Sequence, residues 1–214
     1  MFWKYLIAAV VAYCLGNINI AIIGSNLLFK KDIRHFGSNN AGTTNAFRVF
    51  GWPFGTTVML FDIGKGVLAC YLGAFVIVGD GSNLLAIAIS GLFAAIGHIY
   101  PAVFGFRGGK GVATIGGMLI LLDWRMFLCM LAVFILLLIT TKYMSIASLS
   151  TTVTGPLSAF VLRRFVDQLP SEQVWMYVGT VFFFGLLLVF THRENIKRLI
   201  NGTENRLGKK KKDA

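Results

Sequence analysis

Between Gly97 and Thr114 the chain reads GHIYPAVFGFRGGKGVAT, an apolar segment that gathers its glycines around two cations. Gly105, Gly108, Gly109 and Gly111 fall within seven residues and surround Lys110, with Arg107 close by. Amides without side chains beside a lysine can cradle a phosphate, so the expected chemistry is anion recognition, with Gly108, Gly109 and Gly111 supplying the amides. A nucleotide P-loop is excluded, because GxxxxGK[ST] needs glycine where Phe104 stands and a hydroxyl where Gly111 stands. Lysine without a Mg²⁺-binding hydroxyl points to phosphate recognition without nucleotide hydrolysis. The competing reading is a flexible cytoplasmic turn whose cations only set topology.

Other polar residues suit the same chemistry. His35 to Arg48, HFGSNNAGTTNAFR, carries small hydroxyls and amides, among them Ser38, Thr44 and Asn45, and ends on a guanidinium fork that fits carboxylate or phosphate. Such a loop is costly at membrane depth unless it lines a wet cavity; the plain alternative is a turn-rich connector in which Asn45 caps a helix. In Thr191 to Arg206, THRENIKRLINGTENR, a helix would put His192, Asn195 and Leu199 on one face and turn Arg193 and Lys197 elsewhere. A solvated interfacial histidine is the alternative there. Asp62 and Lys65, three apart inside an apolar run, are expected to neutralise each other as a structural pair. Ser145 and Ser148 share a face and either donate to a phosphate or back-bond to their own helix.

The elements that must position these residues are membrane helices. The chain has 214 residues, 56% of them hydrophobic, and a mean hydropathy of +0.73; a soluble domain is less apolar. Continuous apolar runs lie at 5–28, 54–78, 83–100, 112–122, 126–141, 145–162 and 174–191. Only helices or closed barrels satisfy their backbone in lipid, and unbroken rather than alternating runs select helices. The fold expected is an all-α, polytopic transmembrane bundle of about seven spans. It forms a single integral membrane domain over 1–208, with a basic disordered tail at 209–214. The N-terminal run lacks a small-x-small cleavage site and reads as a retained span. Cys14, Cys70 and Cys129 lack disulfide or metal spacing and read as packing residues.

Segments 112–122 and 126–141, parted only by Asp123-Trp124-Arg125, are two crossings or one bent helix. As two crossings they leave fifteen of the 20 lysines and arginines on the face that holds 29–53, 101–111, 142–144 and the C-terminal tail. Lys4, Arg125, Arg163 and Arg164 lie on the other face, and Lys65 lies within a span. Excess positive charge marks the cytoplasmic side, so seven spans with the N-terminus outside and the C-terminus cytoplasmic is the preferred topology. Arg163 and Arg164, outside beside Asp167 and Glu172, are its one exception. The net charge of +11 then serves an anionic membrane surface rather than nucleic acid.

Taken together, GSNNAGTTNAFR, GHIYPAVFGFRGGKGVAT and HRENIKRL resemble the three signature segments of the bacterial acyl-phosphate:glycerol-3-phosphate acyltransferases. FDIGKG and YMSIAS extend the resemblance over nearly the whole chain. It implies transfer of a fatty acyl group from acyl phosphate to the sn-1 hydroxyl of glycerol 3-phosphate, giving lysophosphatidic acid and inorganic phosphate. This is the first acylation of bacterial phospholipid synthesis, in a multi-pass cell-membrane enzyme whose active site faces the cytoplasm. The HxxxxD motif of the acyl-CoA and acyl-carrier-protein enzymes is absent, since Asn40, Val103 and Lys197 follow the three histidines at that spacing.

By this similarity Arg48, Lys110, His192 and Asn195 hold glycerol 3-phosphate, while Ser38, Thr44 and Ser148 hold the donor phosphate with the glycine amides. Lys110, Ser38 and His192 form the implied catalytic set. Acyl phosphate carries a good leaving group and no nucleophile elbow is present, so direct attack by the glycerol hydroxyl is the expected mechanism. Either His192 or the donor phosphate takes the proton. No metal, cofactor or protein partner is implied; the partners are the two substrates and membrane lipids. A transporter for a phosphorylated anion or a non-catalytic subunit are the competing classes, and neither internal repeats nor a midplane site favours the former.

Overall fold

Asn19 breaks the first apolar run into α1 (Phe2–Asn17) and α2 (Ile20–Phe29). Its carboxamide oxygen accepts the amide of Ile22 at 3.1 Å, capping α2, while its Nδ2 donates to the carbonyl of Ala41 at 3.1 Å. This computed structural model describes residues 2–207; the basic tail expected at 209–214 lies outside them.

Lys30, in the left-handed region, closes α2, and a single 3₁₀ turn at Ile33–His35 leads to α3 (Thr43–Phe50). Gly51, with φ 82, turns the chain directly into α4 (Trp52–Tyr71), which continues as a π-helical segment to Val78. Where α2, α3 and α4 meet, Phe29 stacks on Phe50 at 4.3 Å between ring centroids and Phe54 packs edge-on against both at 5.3 Å. α5 (Leu84–Ile99) starts on Asn83, whose side chain accepts the amide of Ala86 at 2.9 Å. The next helix, α6, runs over Val112–Thr141.

Two glycine pairs let these helices touch backbone to backbone, as small residues do in membrane bundles. A Cβ at Gly97 in α5 would lie 3.0 Å from the Cα of Gly16 in α1, and one at Gly117 in α6 would lie 3.1 Å from the Cα of Gly66 in α4.

α6 is not one helix. Asp123 has φ −167 and ψ 109, an extended conformation that breaks the 30-residue element where the sequence places Asp-Trp-Arg. With Val112–Thr141 counted as one interrupted element, the described residues contain six helices long and apolar enough to cross a membrane, against the seven apolar runs of the sequence. The chain divides into two compact units at the same place, one ending at Trp124 and the other starting at Arg125.

In the second unit α7 (Met144–Val161), extended by a π-helical Leu162–Val166, packs along α8 (Ser171–Thr191), and α9 (Arg193–Ile200) follows. Of the two arginines that stood out as a topological exception, Arg163 is compensated, sharing Asp167 with Arg125. Arg125 grips Asp167 through two hydrogen bonds of 2.8 and 2.9 Å, and Arg163 reaches the same carboxylate at 2.6 Å while stacking 4.0 Å over Tyr177. Hydrogen bonding from Arg125, ahead of that from Arg163, keeps the Asp167 carboxyl below its ordinary value. One sequence expectation needs correction: only Cys70 packs inside, whereas Cys14 and Cys129 are exposed on helix surfaces.

Candidate active site

Asn45, on the first turn of α3, folds the preceding loop around itself. Its Nδ2 donates to the carbonyls of Ile33 at 3.2 Å and Phe36 at 2.9 Å, and its Oδ1 accepts the amide of Ser38 at 2.9 Å. The carboxamide is buried and bonded to three backbone groups of that loop, and through one of them it sets the position of Ser38. Ser38 is half-buried on this loop and Thr44 half-buried on the first turn of α3, while Arg48 is exposed farther along that helix.

The glycine loop corrects the expectation on its amides. The N–H of Gly108 donates to the carbonyl of Ile99 at 3.1 Å and that of Gly109 to the carbonyl of His98 at 3.0 Å. Both groups are thus committed to the end of α5. These positions are glycine because of crowding: a Cβ at 108 would strike the His98 carbonyl, and one at 109 the His98 ring at Nε2. Gly111 has φ 84, and its carbonyl accepts the amide of Ile115 at 2.8 Å, opening α6. The amides of Val112, Ala113 and Thr114 therefore have no carbonyl four residues back within the helix, and Lys110 stands beside that positive helix end. The two amides before Lys110 are thus bonded to backbone carbonyls, and the positive end of α6 follows directly after it.

Beside the loop lies a cavity of about 440 Å³ lined by Asp32, Arg34, His35, Asn39, Arg107 and Gly108. Arg34 braces it, bonding Asp32 at 2.7 Å and the carbonyl of Phe104 at 2.7 Å. The hydrogen bond from Arg34 holds Asp32 below the usual aspartate value.

Under the loop, Asp62 and Lys65 pair at 2.7 Å, as their spacing predicts. A third member was not foreseen: the Lys65 ammonium also reaches His98 Nδ1 at 2.8 Å. All three residues are buried. The signal available was a second ionisable residue in a neighbouring apolar run, but pairing across helices is invisible to spacing along one of them.

In the second unit α8 ends at His192 (φ −98, ψ 6) and α9 begins. His192 and Asn195 are buried while Arg193 and Lys197 are exposed, the division that helical spacing predicts. His192 Nδ1 lies 2.8 Å from the carbonyl of Leu188. A carbonyl only accepts, so Nδ1 carries the proton and Nε2 is the basic nitrogen of the neutral ring.

Asn195 Nδ2 donates to Ser145 Oγ at 2.7 Å and to Glu204 Oε1 at 2.8 Å. Ser145 donates to the same Oε1 at 2.6 Å, and Arg198 Nε to Oε2 at 2.7 Å. Glu204 is therefore the hub of this region, and no sequence signal singled it out of a cationic tail. Burial opposes its ionisation, but the hydrogen bonds from Ser145, Asn195 and Arg198 prevail and keep its carboxyl below the ordinary 4.5. Ser148 is buried one helical turn beyond Ser145.

What the fold and these sites define is a polytopic helical membrane protein with a cationic glycine loop at the mouth of one helix. The chain belongs to the glycerol-3-phosphate acyltransferase family, whose model matches residues 6–202. Glycerol-3-phosphate acyltransferases of Finegoldia magna and Enterococcus faecalis are each 40% identical to it, covering 95% of this chain and 96% and 92% of their own lengths. Crystal structures of PlsY, an integral membrane glycerol 3-phosphate acyltransferase, superpose with TM-scores of 0.81 for the glycerol 3-phosphate form and 0.78 for the lysophosphatidic acid form. They are 31% and 30% identical and cover 95% of this chain, and 96% and 95% of their own. The protein is thus an acyltransferase of lipid biosynthesis.

Proposed function

We propose that this protein transfers a fatty acyl group from acyl phosphate to the sn-1 hydroxyl of glycerol 3-phosphate in the first acylation of bacterial phospholipid synthesis. The observation that carries the acceptor is the likeness, over 95% of the chain, to a structure described as the glycerol 3-phosphate form of such an enzyme. The donor rests on the resemblance of the three signature segments.

Arg48 and Lys110, with His192 and Asn195, are assigned to glycerol 3-phosphate, because a dianion taken from water needs fixed charge and donors. Ser38, Thr44 and Ser148 are assigned to the donor phosphate, with Asn45 setting Ser38 in place. The sn-1 oxygen attacks the acyl carbon, the bond from that carbon to the phosphate oxygen breaks, and inorganic phosphate leaves. The hydroxyl proton passes to His192 Nε2 or to the departing phosphate. No acyl-enzyme forms, and neither metal nor cofactor is required.

The family match runs across the boundary at Trp124, which supports one acyltransferase domain over 1–208. The uneven distribution of cations supports seven crossings with the N-terminus outside, the C-terminus cytoplasmic and the active site facing the cytoplasm of a bacterial cell membrane. The test is donor choice. Purified protein with glycerol 3-phosphate should form lysophosphatidic acid from palmitoyl phosphate and none from palmitoyl-CoA; turnover of the thioester alone would overturn the donor assignment.

A further inference from the structure

A lysine in the middle of a membrane helix is expensive and calls for a reason. Lys65 has three donor hydrogens and three polar partners: Asp62 Oδ1 at 2.7 Å, His98 Nδ1 at 2.8 Å and the carbonyl of Ile18 at 3.0 Å. His98 Nδ1 lies between the Lys65 ammonium and Asp62 Oδ1, 3.3 Å from the latter, and its Nε2 faces Gly109. One buried cation thereby joins α4, the end of α5 and the break between α1 and α2.

Both anchors of Lys65 lie next to groups that hold the glycine loop. The His98 carbonyl takes the amide of Gly109, and the adjoining Ile99 carbonyl takes that of Gly108. From Ile18, the following Asn19 binds the carbonyl of Ala41, whose amide donates to the carbonyl of Gly108 at 3.4 Å. Two short routes thus run from a single ammonium to the peptides immediately before Lys110.

We propose that Lys65, with Asp62 and His98, is a positioning residue for the glycine loop: it fixes the Gly108–Gly109 peptides so that Lys110 is presented to an anionic substrate. This rests on the assignment of Lys110 to glycerol 3-phosphate. An ion pair needed only for packing can be replaced by apolar residues of similar size with little loss of stability. A positioning role does not survive that replacement.

The test uses His98→Leu, which removes the polar partner, and His98→Asn, whose carboxamide restores one near the Nδ1 position. For His98→Leu we expect KM for glycerol 3-phosphate to rise about tenfold and the segment 105–112 to exchange its amides faster, with α5 and α6 otherwise protected as before. His98→Asn should return both readouts to within about twofold of the unchanged protein. A purely structural role would lower the amount of active enzyme and leave KM and loop exchange unchanged, which overturns the proposal. If His98→Leu does not fold, the double variant Asp62→Leu/Lys65→Met supplies the same two readouts, and the same changes in them support or overturn the proposal. Exchange separates the two claims: faster loop exchange with unaltered KM would count against Lys110 as the substrate ligand, and unaltered exchange against the positioning role.

Discussion

His192 holds its proton on Nδ1 against the carbonyl of Leu188, so the lone pair of the neutral ring is on Nε2. If that nitrogen removes the hydroxyl proton, His192→Ala lowers kcat by about 10²- to 10⁴-fold and abolishes the acid limb of the kcat–pH profile. An unchanged profile with only a raised KM for glycerol 3-phosphate would instead assign the proton to the donor phosphate. Sequence reasoning could single out this imidazole from its segment, and helical spacing placed it with Asn195. The tautomer was not legible, because it depends on a carbonyl one turn back that any residue type would supply. Asn45 shows the opposite limit. A small polar residue in a polar loop looks like a ligand, yet three backbone partners use it to shape the loop.

Among the elements, the crossing of α4 and α6 depends on Gly66 facing Gly117. A Cβ at 117 would strike the carbonyl of Ile63, so Gly117→Ala should destabilise by about 1–3 kcal/mol, read as a lower thermal midpoint in detergent. Gly64→Ala on the same helix α4, where no atom lies within 4 Å, should not lower it. The segment after α9 is held by Glu204, whose carboxyl titrates below 4.5 in the folded protein. A depressed folded pKa contributes stability above the unfolded value, and that contribution is lost as pH falls through the folded value. The thermal midpoint should therefore drop as pH is lowered below about 4.5. Glu204→Gln should already melt lower at neutral pH and show less dependence in that window. The helices themselves were readable from apolar runs, and the break at Asp123 from three polar residues between two of them. The division at Asn19 was not, since its purpose is a hydrogen bond to a loop 22 residues away.

For the whole molecule, charge distribution and apolar content define a multi-pass membrane protein, and three ordered polar segments carry the family. Which backbone amides remain for a phosphate was hidden, because Gly108 and Gly109 commit theirs to α5 through contacts between segments that sequence order does not reveal. Under the proposed function the main electrostatic demand therefore falls on Lys110 and the first turn of α6. The most direct test supplies purified protein in lipid with palmitoyl phosphate and glycerol 3-phosphate, and follows both products. The prediction is 1-acyl lysophosphatidic acid and inorganic phosphate in equal amounts, with a loss of about 10²-fold or more in kcat/KM for Lys110→Ala. No lysophosphatidic acid from the unchanged protein, or full activity in Lys110→Ala, would contradict it.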